Sequence, residues 1–275
     1  MRNQSVKIQR MFAIVTVVLA ALTAQAAKNP RAADEARTLV TRVVRADYQG
    51  NREELRKLYD ELSPYIDDKQ IGSRVSYWRG FALWRRAFNG FNENADPKDL
   101  ESDMLDAIRE FEASAAKDQS FTDPKVANAS CVMTLMYLHQ QDEAKVKEHL
   151  QRLSELMKEL KVSAVDNPRY YWVLGTGLWY RPEQSGGGQG AAMATYGKGL
   201  EIVHHQKVES TDVLDPSWGE PELLMNLAWS NLHRSKPDLN AAENYAKSAL
   251  TLVPDWHYVR DILLPQIKEA AHKQN

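Results

Sequence analysis

From Ala36 almost to the C-terminus, apolar residues return at the three-and-four interval of an α-helix, and no stretch sustains the alternate-residue pattern of a strand. Ala36, Leu39, Val40, Val43 and Val44 form one stripe, and Leu55, Leu58, Tyr59 and Leu62 form the next. Gln49-Gly50-Asn51 separates them, with a glycine able to take the left-handed conformation that closes a helix. The same alternation predicts helices near 68–88, 98–117, 123–139, 142–160, 168–180, 190–204, 220–234, 240–252 and 256–272. The expected fold class is all-α. A lone cysteine, Cys131, rules out an intrachain disulfide, so packing must supply the stability. Cys131 lies in the apolar run Ala129–Met133 and reads as a small core residue.

The chain also echoes itself. Gly80-Phe81-Ala82-Leu83-Trp84 returns as Gly175-Thr176-Gly177-Leu178-Trp179, each preceded by two aromatics, and Leu227-Ala228-Trp229 is a third version. Each is followed by a helix with a second shared spacing: Ala107, Phe111 and Ser114; Ala192, Tyr196 and Gly199; Ala242, Ala246 and Ala249. Small residues at a crossing let two helices approach, and a large residue one turn away fills the groove beside them.

These positions resemble the tetratricopeptide repeat family. Tyr171, Leu174, Gly175, Ala192, Tyr196, Gly199 and Leu200 fit one repeat, and Leu227, Ala228, Ala242, Ala249, Leu250 and Pro254 fit another. Gly80 with Ala107 and Phe111 departs from the pattern, because Arg79 stands where leucine is expected and the loop Asn89–Pro97 is long. The resemblance covers about half of the chain beyond residue 26. It implies an α-solenoid of degenerate tetratricopeptide-like helix hairpins, with a hairpin at 27–66 continuous with a repeat domain at 67–275. Trp256–Ala271 is expected to cap it, kinked by Pro265.

Residues 1–26 carry the three parts of a secretory signal: basic Arg2, Lys7 and Arg10, the apolar run Met11–Leu22, and Ala24-Gln25-Ala26 as a cleavage site. The product is expected to be exported, periplasmic or secreted, without stable membrane insertion. An uncleaved anchor is the alternative. Cleavage removes three of the 35 basic residues and none of the 37 acidic ones, leaving a formal charge of −5. No block of like charge supports nucleic-acid binding, so a protein or peptide is the expected partner.

The resemblance implies that the first helix of each pair lines a concave face. Tyr77, Phe81 and Trp84, then Trp172, Thr176 and Trp179, then Met225, Trp229 and Leu232 would point into it. An aromatic groove that anchors a peptide and an interior where these rings pack on each other are both open readings. Arg74 and Arg169, one turn upstream of the first two sets, are candidates to grip a carboxylate. The glycine-rich loop Arg181–Gly190 could in principle cradle a phosphate, but no Gly-Lys-Ser/Thr follows it and no strand precedes it, so a turn between helices is favoured. Neither a His-Glu-x-x-His nor a Gly-x-Ser-x-Gly occurs, and no Cys/His cluster has ligand spacing. The expected function is a non-catalytic scaffold of the cell envelope that binds a protein or peptide, without cofactor or metal. The alternative is an accessory subunit of solute capture whose aromatic cavity holds a small molecule.

Overall fold

A computed structural model describes residues 30–206 and 212–274, so the expected signal segment lies outside the described residues. Ala36–Asn275 forms one compact unit. Among the described residues every regular element is helical: α1 (Pro30–Tyr48), α2 (Arg52–Glu61), α3 (Gly72–Asn92), α4 (Pro97–Lys117), α5 (Asp123–Leu138), α6 (Glu143–Ser163), α7 (Pro168–Tyr180), α8 (Gln189–His205), α9 (Glu220–His233), α10 (Leu239–Leu252) and α11 (Leu264–Gln274). None is long and apolar enough to cross a membrane.

The helix starts have local causes. Asn51, Asp96, Asp142, Asn167 and Asp238 each accept a backbone N–H of the first turn, which satisfies a donor the helix itself cannot. Pro97 and Pro168 follow two of these caps, where a missing N–H costs nothing. Pro265 acts differently. It cannot donate to the carbonyl four residues back, and the turn before it widens into a π-helix over Tyr258–Leu263, where Leu264 N–H reaches Val259 O. The expected kink is therefore a local widening of the helix.

Helices α3 and α4, α7 and α8, and α9 and α10 pack as pairs, and the first members α3, α5, α7 and α9 also touch in series. Small residues decide the crossings. A Cβ on Gly80 would stand 2.8 Å from the Phe111 ring, one on Gly199 would meet Leu223 at 2.9 Å, and one on Gly175 would run into Tyr196. The repeated small-to-large spacing read from the sequence is thus a set of real close approaches. Cys131 is fully buried on α5, and burial pushes its thiol well above the usual value.

The ends of the Ala36–Asn275 unit meet each other. Tyr48, at the end of α1, packs edge-on against Trp256 with ring centroids 5.1 Å apart, and its hydroxyl donates to Glu222 of α9 at 2.8 Å. Tyr48, Ala242, Ala246, Ala249, Trp256, Val259 and Leu263 belong to one buried apolar cluster. Tyr48 and the C-terminal helices are joined by core packing, and the inner helices α3, α7 and α9 line a shared space.

Candidate functional site

Much of that space is filled by the chain itself. The connector from α8 to α9 turns inward after Asp212 and buries Leu214 and Trp218. Trp218 lies 6.0 Å from Phe81, 5.5 Å from Trp84 and 5.7 Å from Trp172 between ring centroids, and its indole N–H donates to the Tyr77 hydroxyl at 2.7 Å. Trp78 donates its own indole N–H to the Leu214 carbonyl at 2.8 Å.

Ion pairs fix the same connector. Arg74 spans Asp215 through Nε and Asp118 through Nη1, both at 2.8 Å, while its guanidinium rests 3.7 Å from the Phe121 ring centroid. Arg37 pairs with Asp212. Arg169 donates to Asp123 and, at 3.0 Å, to the Trp218 carbonyl. The two arginines expected to grip a ligand carboxylate are held by carboxylates of this chain.

The aromatic set divides accordingly. Tyr77, Phe81, Trp84 and Trp172 are buried and pack on one another and on Trp218. Trp179, Thr176, Met225 and Trp229 are only partly buried and line a cavity of about 400 Å³, together with Phe88, Phe91, Tyr180, Tyr196 and Tyr258. Leu232 is partly buried and packs against the cluster around Trp256. Trp179 and Trp229 meet edge-on at 5.2 Å. Trp172 joins the two halves, since it belongs to the packed cluster and also lines the cavity.

Beneath the cavity lies a polar cluster that sequence reasoning did not find. Arg85 is 6% exposed and donates from Nε to Asp47 at 2.8 Å; Asn89 also donates to Asp47, and Glu222 accepts from Tyr48 and from Gly219 N–H. Burial works against the Arg85 charge, but the Asp47 and Glu222 carboxylates outweigh it and raise its pKa. Burial also pushes the Glu222 carboxyl above the usual range. The sequence holds one hint of the inward connector, the apolar residues Val213, Leu214 and Trp218 in a link between two helices.

The glycine-rich loop spends its amides on itself. Gly186 N–H goes to Glu183 O, Gly187 N–H to Pro182 O and Gly188 N–H to Leu178 O, at 2.9, 3.1 and 2.9 Å. Gly186 and Gly188 hold φ of 75° and 98°, which a side chain would resist. A phosphate cradle needs those N–H groups free. Among the described residues no group of three or more His, Cys, Asp or Glu could hold a metal ion.

No protein-family model matches the chain, and no curated protein sequence matches it.

Proposed function

We propose that this chain is an exported, non-catalytic binding protein whose aromatic cavity encloses a small organic molecule in the cell envelope, as an accessory to solute capture. One observation carries the reading. The connector through Trp218 covers the deep half of the inner aromatic surface, and what stays open is a cavity of about 400 Å³, within the range usual for small-ligand sites. Trp179, Trp229, Tyr180 and Phe91 on its wall suit an apolar body. The order of basic, apolar and small residues over 1–26 supports export, and the recurring crossings at Gly80, Gly175 and Ala228 support a degenerate tetratricopeptide-like solenoid.

Tryptophan emission tests the reading. A low-molecular-weight fraction of the host's envelope extract is expected to shift or quench it saturably. A response confined to the macromolecular fraction would sink the small-molecule reading. That outcome would favour a second reading, a scaffold for a protein or peptide. The support for it is the rim, where exposed Tyr137 meets Phe91 at 6.1 Å and Tyr180 is 75% exposed.

A further inference from the structure

Arg85 is the single charged side chain lining the cavity among the described residues. Its Nε is committed to Asp47, while its two terminal nitrogens donate to no described group. Neither nitrogen is fully enclosed, and Arg85 lines the cavity. A guanidinium with five N–H donors, held nine-tenths buried and using one of them, is an incomplete arrangement.

Two arginines of this chain that are more exposed each hold two carboxylates. Arg74 holds Asp215 through Nε and Asp118 through Nη1, and Arg42 holds Glu61 and Glu54 through its two terminal nitrogens. At Arg85 the Asp47 half exists, the terminal nitrogens have no described partner, and the residue lines the cavity. Tyr258 also lines the cavity, and its hydroxyl bonds to no described group. The surrounding wall is aromatic, and Phe81, Trp84 and Phe88 lie 5.5 to 5.9 Å from the Arg85 guanidinium.

We propose that the cavity takes a small organic carboxylate with an aromatic or branched apolar body. The head group accepts from the terminal nitrogens of Arg85, and the body lies against Trp172, Trp179 and Trp229. This rests on the cavity being the binding site. Asp47 and Glu222 behind Arg85 reduce the long-range attraction for an anion, so recognition depends on directional, charge-assisted hydrogen bonds in a desolvated place. A neutral ester of the same shape keeps the apolar contacts and loses most of that head-group interaction.

The test is calorimetric titration of the full chain with naphthalene-2-carboxylate, its methyl ester, and a tripeptide ending in phenylalanine with a free or amidated C-terminus. The acid is expected to bind, and the ester at least tenfold more weakly. The paired substitution Arg85→Gln with Asp47→Asn keeps a hydrogen bond between the two side chains while removing both charges. It should weaken the acid at least tenfold and leave the ester unchanged. Equal affinity for acid and ester overturns the head-group assignment and leaves the cavity as the site. Binding of neither, with tryptophan emission unmoved, overturns both. A free-ended peptide that outbinds the acid, and loses this on amidation, overturns the small-molecule source. The acid–ester comparison decides the question even if the paired variant does not fold.

Discussion

Trp218 meets Trp84 edge-on at 5.5 Å between ring centroids, although 134 positions separate them in the chain. That contact turns half of an inner aromatic surface into core and leaves the other half open. Trp218 supplies the ring that Phe81, Trp84 and Trp172 would otherwise offer to a partner, and the Tyr77 hydroxyl meets its one polar atom.

Replacing Trp218 by alanine should therefore act as a core truncation, costing about 3–5 kcal/mol. Urea unfolding of the variant against the parent chain measures it. A loss under about 1 kcal/mol, the range of ordinary surface changes, would mean the connector does not pack as described.

Glycines at crossings and glycines in open helix should respond oppositely. Gly175→Ala drives a methyl group into the Tyr196 ring and is expected to cost about 1–3 kcal/mol. Gly197 lies mid-helix on α8 with nothing within 4 Å of an added Cβ, so Gly197→Ala should stabilise by up to about 1 kcal/mol. Paired denaturant curves read both signs at once.

Two carboxylate classes give opposite pH slopes. The Ser120 hydroxyl and Arg74 hold Asp118 below its usual value, and Arg37 does the same for Asp212. A lowered folded pKa means stability present above the unfolded value, near 3.8, and lost as pH falls through the folded one. Burial raises Glu222, so its folded state holds a proton longer than the unfolded chain. Its contribution is fully present below about 4.5 and falls as pH rises through the folded value. Glu222→Gln should remove that falling slope above pH 4.5 and leave the acid limb intact, as read from urea midpoints across the range.

Cys131 should resist thiol reagents in the native protein and react at once in denaturant, because it is buried and its thiolate is disfavoured. Prompt native labelling would place it outside the core.

The helices were legible because periodicity, caps and breakers act locally: Asn167-Pro168 starts α7 and Gly50 ends α1 whatever surrounds them. The crossings were legible too, since Gly80 with Phe111 and Gly175 with Tyr196 repeat a spacing that only close packing explains. The path of the Asp212–Gly219 connector was not, because Trp218 is placed by contacts with residues more than 40 positions away. Without it, Tyr77 and Trp229 look equivalent in sequence, one fully buried and the other on the cavity wall. Arg85 was missed for a similar reason. Its partners Asp47 and Glu222 come together only when α1 and α9 meet. The aromatic marking at Gly80, Gly175 and Ala228 pointed to one inner surface without saying which part the chain itself would cover.

We propose that a small molecule binds at the open half of this surface, around Trp179 and Trp229. Native mass spectrometry of the protein purified gently from its own host, beside Trp179→Ala/Trp229→Ala, tests it most directly. Both residues are only partly buried, so the variant should stay folded. The account predicts a low-mass adduct on the parent chain that is lost from the variant. An adduct equally present on both, or a parent chain found only in complex with a second protein, would contradict it.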